Sequence, residues 1–196
     1  ATESNNFAIK GVIKKYNEDG FCSRIAPHII ISSIEHHSVL DTCKFLEKSG
    51  RAEITYLPVN QEGIVEIAEV KKAIKPNTIL VSIMYVNNEI GTVQPIAEIG
   101  KLLKNINFKR KNKVLFHTDA TQAINYVDCD VQKLSVNLLS LSGHKIYGPK
   151  GIGGLYIKKG SFIKRTQDGG DQESGWRAGT HNVPRIVGLA EAIRQV

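Results

Sequence analysis

Six short apolar runs, set apart by segments of helical spacing, leave this chain of 196 residues few folds to choose from. The runs fall at 28–32, 54–57, 79–83, 114–117, 138–141 and 154–157, and the first reads His28-Ile29-Ile30-Ile31-Ser32. Most are almost continuously apolar rather than alternating, as strands covered on both faces are. Between them, 38–48, 64–74 and 95–105 carry apolar residues at helical intervals, with Pro95 suited to a first helical turn. Buried strands alternating with helices predict an α/β fold, a three-layer αβα arrangement around a mostly parallel sheet. The last run follows the glycine-rich turn 148–153 too closely for a crossover helix, which predicts an antiparallel partner and so a mixed sheet. The stretch 158–175 reads as a long mobile loop.

Ligands of such sheets bind beyond the carboxyl ends of the strands, and the residues with chemical potential fall there. Lys145 lies two residues after Gly143, between an apolar strand and a glycine-rich turn, where a ligand can approach the backbone. A lone lysine there is ordinarily a surface residue; one that forms a Schiff base must first lose a proton, by desolvation or beside positive charge. Asp119 directly follows the run 114–117, and one strand-helix-strand unit fits between it and Lys145, which puts both on one edge of the sheet. A carboxylate so placed can keep a pyridine nitrogen protonated, or simply cap a helix. Gln122, one helical turn further on, can donate to a ring phenolate oxygen. His36 stands at a strand-to-helix junction, where an imidazole can stack on a ring or move a proton, and Asn88 offers an amide in another strand-end loop. Taken singly, each of these two is more often a turn or cap residue than a ligand. Hydroxyls and cationic donors for a phosphate are Thr2, before a first helix, then Ser142 and His144, and later Arg177 and Thr180.

Composition narrows the function classes. At 41% apolar and 23% charged the chain reads as one soluble globular domain, and no apolar run approaches the roughly eighteen residues a membrane helix needs. The net charge of +7 is spread along the chain except at 104–113, a segment without interleaved aromatics that reads as a solvated helix end and loop, not a nucleic-acid platform. Cys22, Cys43 and Cys129 are odd in number and widely spaced, which suggests neither disulfides nor zinc and fits a reducing compartment, the cytoplasm or an organelle matrix. His36 and His37 point different ways and make a poor metal pair, so no metal is expected. A start without Met inside a loop, and an uncapped helical end, give the chain the character of a fragment.

Taken in order, Ala1-Thr2-Glu3-Ser4-Asn5-Asn6, Glu35-His36-His37-Ser38-Val39-Leu40-Asp41, Val86-Asn87-Asn88-Glu89-Ile90-Gly91, His117-Thr118-Asp119-Ala120-Thr121-Gln122, the run from Ser142 to Gly153 and Arg177-Ala178-Gly179-Thr180 resemble the IscS/NifS-type cysteine desulfurases. These are class V aminotransferase-like members of the fold type I pyridoxal-phosphate enzymes. The resemblance covers essentially the whole chain, and Ser142-Gly143-His144-Lys145 with the following glycine-rich turn is its most specific part. It implies pyridoxal 5'-phosphate as cofactor, with Lys145 as the Schiff-base lysine, Asp119 as the pyridine-nitrogen partner and Gln122 as the phenolate partner. His36 becomes the ring-stacking, proton-handling histidine, and Asn88 touches cofactor and substrate. Thr2, Ser142 and His144 become phosphate ligands, and Thr180 a phosphate ligand supplied across a homodimer interface.

The same resemblance implies a reaction in which L-cysteine yields L-alanine and an enzyme persulfide, with sulfur passed to iron-sulfur cluster assembly or a related acceptor. Residues 1–196 then correspond to the large cofactor-binding domain, incomplete at its amino terminus, with 180–196 beginning the connection to a smaller carboxy-terminal domain. The persulfide cysteine and the substrate-carboxylate arginine of the family fall beyond Val196. Cys43 sits on a helix as a small core residue, and Cys22 and Cys129 match no nucleophile motif. The chain departs from the family at insertions around 16–27 and 105–113, and at Asp171 and Ser174, which stand where glycine and arginine are commoner. The alternatives are another class V reaction, such as a selenocysteine lyase or an aminotransferase, and a catalytically incomplete binding or assembly module.

Overall fold

The computed structural model describes residues 1–18 and 26–196; Cys22 and most of the 16–27 insertion lie outside the described residues. Six strands, β1 (His28–Ser32), β2 (Glu53–Leu57), β3 (Thr78–Ser82), β4 (Leu115–Asp119), β5 (Leu138–Ser142) and β6 (Gly153–Ile157), form one sheet in the order β2-β1-β3-β4-β5-β6. The first five are parallel and β6 runs antiparallel to β5, as the short glycine-rich turn requires. Every residue of β1, β3 and β4 is buried, which is why these runs lack polar alternation.

Helices cover both faces. On one, α1 (Thr2–Glu18) and α2 (His37–Lys48) pack Ile9, Val12, Ile13, Val39, Cys43 and Leu46 onto Ile29, Ile31, Leu80, Leu115 and Leu138. On the other, α3 (Ile67–Ala73), α4 (Ile96–Phe108) and the single turn α5 (Val131–Leu134) pack Val70, Ile99, Leu103 and Leu134 onto Ile30, Val81, Phe116 and Leu139. A last helix, α6 (Val183–Arg194), buries none of its residues within the chain. At Gly100 any Cβ would collide with the carbonyl oxygen of Leu134, so only glycine lets α4 and α5 approach as they do. Cys43 lies in the core as expected, and burial pushes its thiol up to about 12.

Three expectations are modified by tertiary contacts. Pro95 caps α4 rather than opening it, its carbonyl accepting from Ile99 N–H at 3.0 Å. The helix expected over 64–74 begins only at Ile67, because Gln94 holds the chain before it extended: its side chain accepts from Val65 N–H at 2.8 Å and donates to Gly63 O at 2.7 Å. The stretch 158–175 is anchored, for Ile163 is buried in the core and Lys164 N–H donates to Gly11 O of α1 at 3.0 Å. Nothing in the structure explains Asp171 or Ser174, the latter in a left-handed conformation at φ 54°. In the basic segment, Arg110 donates to the carbonyls of Lys75, Pro76 and Thr78, sewing the loop after α4 to the start of β3. Among the described residues no helix is long and apolar enough to cross a membrane.

Candidate active site

The strand order creates a crevice. From β1 the chain moves outward to β2 and then back across to β3, so the loops leaving β1 and β3 diverge at their carboxyl ends, the usual ligand position in an open sheet. Glu35 bridges that divergence: its Oε1 accepts from the Ser32 hydroxyl at 2.6 Å and from Met84 N–H at 2.7 Å. Burial pushes its carboxyl up to about 8, so at neutral pH it is held protonated. Asn87 ties the same two loops. Its amide donates to Ile34 O at 3.0 Å, and its Oδ1 accepts from Glu89 and Ile90 N–H, which fixes the loop carrying Asn88.

Asp119 ends β4. Leu115 of this strand faces the α1/α2 side, and strand periodicity sends His117 and Asp119 the same way. His117 bridges Ser82 Oγ at 2.8 Å and Ser140 Oγ at 3.0 Å, a buried polar row beneath the site, and burial holds it down to about 4. Above it, Asp119 Oδ1 accepts from Thr121 N–H at 2.9 Å and Oδ2 accepts from the Asn5 amide at 2.6 Å. Asn5 comes from the core stripe of α1, one helical turn before Ala8 and Ile9, and is fully buried. Its amide also donates to Ser38 Oγ at 2.8 Å. His36 is the N-cap of α2, its Nδ1 accepting from Ser38 N–H at 3.1 Å with Ser38 Oγ at 2.9 Å.

Lys145 closes a 3₁₀ turn, Gly143–Lys145, that follows β5 directly. A Cβ at Gly143 would meet Ile152 Cγ2 at 2.9 Å and Pro149 O at 3.1 Å, so glycine is what lets the turn fold back against the residues before β6. Lys145 itself is exposed within this chain. Ser142 Oγ lies 2.9 Å from His144 Nδ1, and His144 is held below its ordinary value by partial desolvation and by the neighbouring Lys145 charge.

One cavity gathers Thr2, His36, Asn88, Asp119, Gln122, Ser142, His144 and Lys145, together with Ser38, Met84, Val86 and Thr121. Thr180 is not among its walls. It lines a wider adjoining cleft with Arg177 and His181, which shares Thr2, Ser142 and His144 with the first. Sequence reasoning missed Asn5, Glu35, Ser38, Asn87 and Thr121. For Asn5 a signal existed, a polar side chain on an otherwise apolar helical stripe, which costs stability unless it is hydrogen-bonded.

The donor set fits pyridoxal phosphate. Asp119 is fixed by two donors and retains acceptor capacity for a ring N–H. Hydroxyls of Thr2 and Ser142 and the ring of His144 could hold a phosphate beside the start of α1, and Lys145 supplies an amine on the same cavity. Among the described residues, the buried side-chain atoms without a partner are Asn5 Oδ1, Glu35 Oε2, Thr121 Oγ1 and Ser161 Oγ. The first three belong to residues bonded to Asp119 or facing its charge, so the unused polar capacity of the interior concentrates around that carboxylate.

The mostly parallel six-stranded sheet flanked by helices is that of the pyridoxal-phosphate fold of the type I class, and it brings a lysine after one strand and a carboxylate at the end of the neighbouring strand onto one cavity. The family model for aminotransferase class V matches residues 1–196, and the chain belongs to that family. Among its relatives, the cysteine desulfurase IscS of Methanosarcina thermophila is 54% identical over 97% of this chain and 44% of its own length. The mitosomal cysteine desulfurase of Trachipleistophora hominis is 48% identical over 98% of this chain and 42% of its own length. A solved structure of SspA in complex with cysteine superposes with a TM-score of 0.88 at 46% identity, over 98% of this chain and 52% of that one. A NifS-like protein gives a TM-score of 0.88 at 40% identity, over 99% of this chain and 50% of the other. The chain thus spans about half the length of the proteins it matches.

Proposed function

We propose that the full-length protein is a pyridoxal-phosphate-dependent cysteine desulfurase that converts L-cysteine to L-alanine and takes up the sulfur as a persulfide for delivery to an acceptor. The observation that carries this reading is the convergence of Lys145 and Asp119 on one cavity from the ends of adjacent strands. The cysteine complex of a relative at 46% identity supports the substrate. When bound, pyridoxal phosphate supplies an electron sink for bonds at the substrate Cα. Lys145 holds the cofactor covalently through its amine. Asp119, kept in place by Thr121 and Asn5, would retain the proton on the ring nitrogen, and His36 would cover the ring. Gln122 and Asn88 bind polar groups on the ring and substrate, while Thr2, Ser142 and His144 bind the phosphate. Thr180, which faces the neighbouring cleft instead of its own chain's cavity, fits a contribution across a homodimer interface. An iron-sulfur scaffold or another sulfur acceptor in a reducing compartment, cytoplasm or organelle matrix, completes the assignment.

The test is the full-length protein incubated with L-cysteine, pyridoxal phosphate and a dithiol that reduces the persulfide and releases its outer sulfur as sulfide. Alanine and sulfide should appear in step. Borohydride should trap the cofactor on wild type and fail to do so on Lys145→Ala. A cofactor-saturated protein that releases neither product overturns the activity, and a trapped adduct on Lys145→Ala overturns the lysine.

A further inference from the structure

Asp119 and His36 are joined by a hydrogen-bonded chain with a fixed direction. At one end Asp119, as a carboxylate, can only accept, so the Asn5 atom 2.6 Å from its Oδ2 must be the amide nitrogen. The second hydrogen of that amide points to Ser38 Oγ at 2.8 Å and takes up a lone pair of the hydroxyl. Ser38 is left with its own hydrogen to give, and His36 Nδ1 lies 2.9 Å away. At the other end the Ser38 backbone N–H, which can only donate, also points at His36 Nδ1, at 3.1 Å. The backbone end therefore requires a lone pair on Nδ1, and the Ser38 hydroxyl, with one of its lone pairs taken by Asn5, completes the chain by donating its hydrogen to that same lone pair. Asn5 is fully buried and Ser38 nearly so, which removes water as a competing partner.

We propose that Asn5 and Ser38 are positioning residues that couple Asp119 to His36 and fix the imidazole proton of His36 on Nε2. The role of His36 in the proposed reaction follows from this, and that consequence rests on the cofactor reading above. With Nδ1 committed to the helix cap, His36 presents an N–H donor at Nε2 and no free lone pair. A proton can reach the ring only at Nδ1, and only if the Ser38 hydroxyl turns away and the cap is given up. His36 thus serves as a ring-covering hydrogen-bond donor while the chain is intact. Any use of it as a base is tied to a turn of the Ser38 hydroxyl, whose oxygen the Asn5 amide holds in place while also donating to Asp119.

The tautomer is directly readable. With histidine labelled in 15N in the full-length protein, first cofactor-free and then loaded, at about pH 8 where an ordinary imidazole is neutral, His36 should show a pyrrole-type Nε2 and a pyridine-type Nδ1. A pyrrole-type Nδ1 in wild type overturns the proposal. Asn5→Asp places an acceptor where the amide donated, so the Ser38 hydroxyl should turn towards it and the single-tautomer pattern give way to a mixture enriched in Nδ1–H. Should Asn5→Asp fail to fold, Ser38→Ala and Asn5→Leu read the same coupling. Each should reduce the Nε2–H excess, and the double variant should change it no further than Ser38→Ala alone, because the groups act in series. A folded Ser38→Ala or Asn5→Leu protein with an unaltered His36 pattern overturns the coupling. The cofactor-free measurement does not depend on the lysine or the reaction, so failure of the cofactor reading leaves a distinct signature, loss of the borohydride adduct with the tautomer intact.

Discussion

Replacing Glu35 with glutamine should abolish a pH dependence of stability that the wild-type protein carries through the neutral range. The carboxyl spans the ends of β1 and β3, with Oε1 accepting from Ser32 and Met84 and Oε2 buried without a partner. Burial raises it from 4.5 to about 8. Between those values the native state holds a proton that the unfolded chain has released, so stability falls as pH rises. The contribution is whole below about 4.5, declines across the window, and is spent above about 8. At about 1.4 kcal/mol per unit, the loss over the window is up to about 5 kcal/mol. Glutamine keeps the acceptor for Ser32 and Met84 and cannot ionise. Urea unfolding of both proteins at matched pH between about 5 and about 8 should therefore give a stability difference that shifts towards the variant by about 1.4 kcal/mol per pH unit. Because Glu35 ties the loops that carry His36 and Asn88, wild type should also release its cofactor more readily above about pH 8 than the variant does. Two stability profiles that run parallel across this range refute the buried, protonated Glu35.

His117 carries the opposite dependence. Its folded value of about 4 lies below 6.5, so its contribution is present above 6.5 and is lost as pH falls towards 4. His117→Asn should flatten acid unfolding between those limits by up to about 3 kcal/mol in denaturant titrations. Gly100→Ala forces a methyl against the Leu134 carbonyl and should cost about 1–3 kcal/mol, read as a lower melting temperature with the same folded circular dichroism. Asn87→Ala removes the ties from the Asn88 loop to Ile34 and should weaken cofactor retention several-fold, with a stability loss of only about 1–3 kcal/mol. Unchanged retention in that variant shows that the loop is held by other contacts.

The strands were legible because burial on both faces leaves its mark on each run separately: Ile29, Ile30 and Ile31 need no distant partner to be recognised as a covered strand. The residues that end or follow those strands, Asp119, His36 and Lys145, could be placed on one sheet edge from chain direction alone. Where a segment's conformation depends on a side chain far along the sequence, local pattern misled. Val65 is apolar and helically spaced, yet Gln94, on another loop, takes its N–H and the helix begins only at Ile67. The stretch 158–175 lacks periodic structure, yet Ile163, with Phe162 beside it, packs it against the cluster that holds α1.

The same division runs through the site. The sequence by itself determined an α/β sheet, a lysine in a glycine-bounded turn, a carboxylate one crossover away and hydroxyls suited to a phosphate, since each is a local signal of residue type and spacing. Only the tertiary structure decided that Asn5 meets Asp119, which lies 114 residues further along the chain, that Ser38 completes the path to His36, and that Thr180 stands outside the cavity of its own chain. A hydrogen bond selects its partner by position within about 3 Å. Position at that scale is set by how α1 and α2 pack on the sheet, which no single stretch of residues encodes.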